Sequence, residues 1–178
     1  ISTPYLRENI GMVLQEPFLF SRSIAENISI AGEEVDMAAV REASRAACLD
    51  ETVEGFTQGY DTFVGERGVT LSGGQKQRAA IARTLMRRQP IMIFDDSLSA
   101  VDTETDAKIR AELERRFGSA SIILISHRIT TLAKAGQILV LDKGRIAERG
   151  THDELVAANG IYRKIYDIQT AGAEEAAK

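Results

Sequence analysis

Four short aliphatic runs, at residues 10–14, 91–94, 122–125 and 138–141, constrain this chain more than any other feature. Each is too short for a helix and carries no polar residue in alternation, the pattern of a strand covered on both faces. Longer amphipathic stretches, 36–47, 75–88 and 103–117, lie between most of them. Buried strands alternating with helices predict an α/β fold, a mostly parallel sheet flanked by helices. The last run differs, because Asp142-Lys143-Gly144 and residues 145–148 follow it. That order predicts an antiparallel hairpin turning at Lys143-Gly144. From 36 to 89 the texture is helical and polar without a long β run, which predicts an inserted helical subdomain. Thr151-His152-Asp153-Glu154 has the T-x-x-E form of a capping box. It predicts a helix that Asn159-Gly160 interrupts and residues 161–168 continue. Residues 171–178 have no core to reach and are expected to be a disordered tail.

Length and composition set the outer bounds. The chain has 178 residues, 44% hydrophobic and 27% charged, values of one globular domain rather than a fibre or a disordered tail. No apolar run approaches the ~18 residues of a membrane-spanning helix. The net charge of −4 argues against a duplex-binding surface, so no nucleic-acid partner is expected. Cys48 is the single cysteine, which excludes an intrachain disulfide and fits a cytosolic setting. The chain opens with neither a signal-peptide pattern nor an initiator Met, so it is expected to begin mid-protein.

Leu71-Ser72-Gly73-Gly74-Gln75 is the most specific segment. Ser72 and Gln75 form an S-x-x-Q capping box at the start of a helix. Glycine in a helix costs roughly 1 kcal/mol against alanine, so two in one first turn need a reason. They supply bare backbone N–H groups at the positive end of a helix dipole, where an anion can approach closely. A flexible loop entering a helix is the plain alternative. Ile91-Met92-Ile93-Phe94-Asp95-Asp96 ends an aliphatic strand in two carboxylates, at the edge where α/β folds bind ligands. Asp95 is placed to hold Mg²⁺, which favours one or two carboxylates plus phosphate oxygens, and Asp96 then faces the attacking water. A strand end followed by a turn explains the same pair without chemistry. His127 follows the run 122–125, and Gln15 follows the run 10–14. Each alone is an ordinary polar residue at a strand end.

Taken in order, Gln15, Leu71 to Gln75, residues 91–96, Ser99-Ala100-Val101-Asp102 and His127 resemble the ATPase domain of the ABC transporter family over nearly the whole chain. The resemblance implies a P-loop NTPase-type fold with ATP and Mg²⁺ as cofactors. It makes Gln15 the Q-loop glutamine, a catalytic and metal-sensing residue, and residues 91–96 the Walker B strand. Leu71, Ser72, Gly73, Gly74 and Gln75 become the nucleotide-contacting signature motif. Asp95 becomes the metal residue, Asp96 the catalytic carboxylate, Asp102 the D-loop aspartate and His127 the switch histidine. On this reading 1–35 and 90–170 form a partial RecA-like core and 36–89 the helical subdomain. Phe18-Leu19-Phe20-Ser21, Ile24-Ala25-Glu26-Asn27-Ile28 and residues 62–68 are similar to the exporter branch. There the domain is joined to a transmembrane domain of the same polypeptide and faces a second ABC ATPase domain, at the cytoplasmic face of the plasma membrane. Residues 62–68 resemble the loop that touches the transmembrane part.

Two departures from that pattern stand out. The sequence contains no Gly-Lys dipeptide, hence no G-x-x-x-x-G-K-[ST] phosphate loop. The chain is therefore expected to start after the Walker A loop, and the isolated chain to be inactive. The strand leading to that loop is expected beside residues 91–94, whose backbone groups then need rearranged pairing or strand exchange between copies. The second departure is Asp96, where the family usually carries Glu. Asp there, with an intact signature, resembles the degenerate-site subunit of a bacterial heterodimeric multidrug exporter, whose partner supplies the Glu; a homodimer is the alternative. Two other classes compete: a soluble ABC-type ATPase of DNA repair or translation, and a non-catalytic module lending its signature helix to a partner. Tyr5 and Phe18 read as packing residues, and Arg83, Arg87 and Arg88 as a solvated helix face.

Overall fold

The structure, a computed structural model, describes residues 1–30, 34–65 and 70–176, with side chains through residue 172. The chain forms two compact units, Ile1–Ile125 and Ser126–Lys178. The first begins with α1 (Thr3–Asn9), β1 (Ile10–Val13), β2 (Arg22–Ser23) and α2 (Ile24–Ser29). It continues with α3 (Met37–Ala46), α4 (Asp50–Glu54), β3 (Phe63–Val64) and α5 (Gly73–Leu85). β4 (Ile91–Asp95), α6 (Thr103–Phe117) and β5 (Ser121–Ile125) complete it. Residues 66–69, part of the segment resembling a transmembrane-facing loop, lie outside the described residues.

The three aliphatic runs of this unit form one parallel sheet in the order β1-β4-β5. Val13, Phe94 and Leu124 stand level across it. β4 is therefore central and paired on both sides. This corrects the expectation that residues 91–94 lack a neighbour: β1 and β5 satisfy them inside one chain, and no strand exchange is needed. Among the described residues β1 and β5 each pair with β4 alone and form the two edges of the sheet. The two faces differ. Val13, Met92 and Phe94 are fully buried under the helices, in one core with Ile24, Ile28, Val40, Ile81, Ile109 and Leu113. On the opposite face Met12, Leu14, Ile123 and Ile125 are each about half exposed, between 48% and 53%. The strands are apolar on both faces, as the runs predict, yet among the described residues only one face is fully buried.

Close approach places β1 against α5. A Cβ on Gly11 would stand 2.8 Å from Thr84 Cγ2 and 2.5 Å from Gln89 Oε1. Arg83 makes a second tie. Its Nε donates to Asn27 O at 2.8 Å, Nη1 to Phe18 O at 2.9 Å and Nη2 to Asn27 Oδ1 at 3.1 Å. Its guanidinium lies 5.8 Å from the Phe20 ring centroid. Burial pushes the Arg83 pKa below its ordinary value. Arg83 thus departs from the solvated role read from sequence, which Arg87 and Arg88 keep. Tyr5 and Phe18 are corrected in the opposite sense: both are exposed and outside the core, the Phe18 ring meeting Phe20 edge to face at 5.0 Å. Arg83→Ala removes the donor from Asn27 O and Phe18 O, while Asn27 Oδ1 keeps the Phe20 N–H at 2.8 Å, and is expected to lower stability by about 2–3 kcal/mol, read from urea unfolding. Arg83→Lys, which lacks the fork, restores less than half of the loss.

The second unit contains α7 (Ile129–Leu132), β6 (Ile138–Asp142), β7 (Arg145–Gly150), α8 (His152–Ala157) and α9 (Ile161–Ala176). β6 and β7 form the predicted hairpin, with φ of 49° at Lys143 and 75° at Gly144. The capping box is present: Thr151 Oγ1 accepts from Glu154 N, and Glu154 Oε2 accepts from Thr151 N at 2.8 Å. Asn159, with φ of 53°, separates α8 from α9. Ile129, Ile138, Leu155 and Tyr162 make this unit's core. α9 runs on to Ala176, past the boundary at residue 171 where a disordered tail is expected.

Candidate functional site

Parallel strands bring their carboxyl ends to one edge, where side chains beyond the last hydrogen-bonded pair are free to meet a ligand. Gln15 follows β1 by two residues and is exposed; Asp95 closes β4 and Asp96 follows it, both half-buried. The Asp96 N–H donates to Ile125 O at 2.8 Å, and its carbonyl accepts from Ser99 N at 3.1 Å. Its φ is 43°, a left-handed conformation that Asp tolerates better than longer side chains. Gln15, Asp95 and Asp96 therefore share one edge of the sheet.

α5 supplies the second component. Ser72 Oγ accepts from Gln75 N at 3.3 Å, while Gln75 Oε1 accepts from Ser72 N at 2.8 Å. Leu71 is buried in the core. The five signature residues thus divide by task. Leu71 anchors the segment, Ser72 and Gln75 cap each other, and Gly73 is exposed with open backbone in the first turn. Gly74 has an internal reason to be glycine: a Cβ there would stand 2.9 Å from the carbonyl oxygen of Ala100. At Gly73 the nearest atom, Ala100 Cβ, is 3.9 Å away. Only Gly73 keeps bare backbone with no packing reason, although the motif predicts that role for both glycines.

Asp102 is exposed and is the N-cap of α6, its Oδ1 accepting from Thr105 N at 2.9 Å. Those hydrogen bonds from Thr105 hold its carboxyl below the ordinary pKa. Gln77, which the motif reading passed over, is 4% exposed and links two of these loops. Its Nε2 donates to Gln15 O and its Oε1 accepts from Ala100 N, both at 3.1 Å. Its one sequence signal is phase, three residues after Gly74 on the same helix face. His127, in the second unit, is exposed. There Gln169 of α9 straps its backbone: Nε2 donates to His127 O at 2.6 Å, and Oε1 accepts from Ile129 N at 2.9 Å.

The donor set suits a phosphate anion and a hard cation. No group of three or more His, Cys, Asp or Glu able to hold a metal occurs among the described residues. Two carboxylates at a sheet edge fit a cation such as Mg²⁺, which takes its other oxygens from phosphate and water. Orphan N–H groups in the first turn of α5 fit an anion. Parallel sheet, acidic edge and open helix terminus define a mixed α/β domain of the P-loop NTPase type. The family model described as ABC transporter matches residues 1–99, and the chain belongs to that family.

An uncharacterized ABC transporter ATP-binding protein, YknU, of Bacillus subtilis is 48% identical over 164 residues, covering 92% of this chain and 28% of that protein. An ATP-dependent lipid A-core flippase of Cupriavidus pinatubonensis is 43% identical over 169 residues, covering 93% of this chain and 29% of that one. A solved bacterial Atm1-family ABC exporter with ATP bound superposes with a TM-score of 0.91 at 40% identity, covering 95% of this chain and 30% of that one. The domain is closely related to the ATPase domains of ABC exporters, and the chain spans under a third of those proteins' length. No helix among the described residues is long and apolar enough to cross a membrane.

Proposed function

We propose that this chain is the ATP-binding and ATP-hydrolysing part of an ABC exporter. It works at the cytoplasmic face of the plasma membrane, joined to a transmembrane domain and closing head to tail on a second ATPase domain. The observation that carries this reading is the assembly, in one unit, of Gln15, the α5 terminus and the Asp95–Asp96 edge, with Gln77 tying two of them. Ser72 Oγ already accepts from Gln75 N, so its O–H is the group left to donate to a phosphate oxygen across the interface. The Gly73 N–H adds a second donor at the positive helix end. Closure then depends on an intact γ-phosphate, because the helix terminus gains its anion only while ATP is whole.

Asp95 holds Mg²⁺, with Gln15 beside it. Bound there, the cation neutralises charge on the phosphate oxygens. Asp96 accepts a proton from the attacking water, and Asp102 lies on the loop that links the two sites; His127, in the second unit, is assigned the switch role by its motif alone. The Asp96 carboxylate is one methylene short of the family's Glu. The partner that fits is a different subunit carrying that Glu, with the α5 terminus of this chain completing the partner's faster site.

The test is phosphate release by the full-length protein with MgATP. Asp95→Asn is expected to lower turnover by about 10²- to 10³-fold, as loss of one transition-state stabiliser does. The 178 residues alone carry no G-x-x-x-x-G-K loop. In titration calorimetry they are expected to show no saturable micromolar binding of MgATP. Tight binding by them overturns the view that this loop provides the main grip.

A further inference from the structure

We propose that Gln77 is a positioning residue for the ATPase site, a neutral latch that keeps the Gln15 loop, the signature helix and the Ser99–Asp102 loop in one register. This rests on the ATPase reading above and adds a residue outside its motifs. Gln77 is buried, and both ends of its amide are used on backbone: the Gln15 carbonyl on one side, the Ala100 N–H on the other. These partners lie 62 residues before it and 23 after it in the chain. Neither bond belongs to a helix or sheet ladder. Each ties a loop to α5.

The chemistry of the side chain is specific. A buried site that must accept from one peptide and donate to another, without carrying charge, is met by an amide, whose donor and acceptor stand apart on one rigid plane. Glutamate keeps the acceptor for Ala100 but turns an oxygen toward the Gln15 carbonyl. Leucine leaves both backbone groups buried without partners. Gly74 completes the grip. It lies one turn before Gln77 on α5, and its missing side chain lets the Ala100 carbonyl approach the helix. The Ala100 residue is therefore held at both polar ends, its N–H by Gln77 and its C=O against Gly74. A shift of the Gln15 backbone must pass through Gln77 to the helix that presents Ser72 and Gly73. The same side chain carries it to the loop bearing Asp102. Coupling of this kind acts on the rate of the closed state more than on nucleotide affinity, since Gln77 touches neither phosphate nor metal in this reading.

The experiment measures kcat and KM for MgATP on the full-length protein and its Gln77→Glu and Gln77→Leu variants, with thermal unfolding of each. Both variants are expected to lose about tenfold or more in kcat per folded molecule, the worth of one buried hydrogen bond. KM is expected to stay within about threefold of the parent. Should Gln77→Glu fold poorly, Ala100→Pro is read in its place, because it deletes the donor N–H from an exposed position and leaves α5 untouched. A fall in kcat at steady KM supports the latch there too. If the variants melt earlier but turn over at the parent rate once the folded fraction is counted, Gln77 is merely structural and the latch is overturned. Absence of MgATP turnover in both the unmodified protein and its Asp96→Glu variant sinks the ATPase reading and the latch with it. Parent turnover matched by every variant sinks the latch alone.

Discussion

Asp96→Glu in the full-length protein, purified without a partner subunit, is expected to raise MgATP turnover about 100-fold, the usual effect of correcting a misplacement of ~1 Å. The added methylene advances the carboxylate by about 1.5 Å, one C–C bond. The backbone cannot make up that distance, because Asp96 is held at both ends: its N–H on Ile125 O at 2.8 Å and its carbonyl on Ser99 N at 3.1 Å. The substitution also has a cost. With φ at 43°, this position favours Asp over Glu, and the variant is expected to be less stable by about 1 kcal/mol. Higher turnover with lower stability is the signature of a residue chosen for something other than rate. Phosphate release and thermal unfolding on the same samples read both quantities. Turnover that is already brisk with Asp96 and unchanged by Glu would falsify the slow-site reading and favour a homodimer.

The two signature glycines are expected to respond in opposite ways. Gly74→Ala places a Cβ 2.9 Å from a backbone oxygen, where the neighbour is main chain and cannot rotate aside. Either α5 or the Ala100 loop must move. The expected loss is about 1–3 kcal/mol of stability, as in other overpacked sites, with turnover down by about 100-fold as the site geometry shifts. Gly73→Ala meets only Ala100 Cβ at 3.9 Å, an ordinary contact. Alanine is the better helix residue by roughly 1 kcal/mol, so the domain is expected to melt slightly higher. Its turnover is nonetheless expected to fall by about tenfold or more, because the methyl group covers the N–H groups that a phosphate must approach. A Gly73→Ala protein that is both more stable and fully active removes this surface from the phosphate-binding role.

Residues 91–96 show how much of such a site lies open in one dimension. An aliphatic run ending in two carboxylates predicts a buried strand with charge at its carboxyl edge, and β4 has that form. The S-x-x-Q and T-x-x-E boxes at Ser72 and Thr151 are equally local, since each is a pair of residues three apart closing on its own backbone. The turn at Lys143-Gly144 belongs with them. Local spacing was misleading where a long-range partner decides the outcome. Arg83 reads as a solvated helix cation until folding brings Phe18 and Asn27, 65 and 56 residues away, to its guanidinium. Gly74 reads as bare backbone for a ligand until Ala100 is seen against it.

Although α1, α2, α4, α7, β2 and β3 were not legible in it, the sequence by itself determined the three parallel strands, the hairpin, the longer helices and their starts, and which carboxylates and amides end up at element termini. These follow from periodicity, capping and turn chemistry, which act over a few residues. Tertiary structure alone decided that β4 lies between β1 and β5, so that no exchange between copies is needed to pair it. It alone decided that one glycine of the signature is demanded by packing and the other is not. It also turned Gln77, a plain polar residue in the chain, into the meeting point of two loops. Strand order, close approach and buried amide pairing depend on residues far apart in sequence, and their geometry exists only once the sheet and helices have packed.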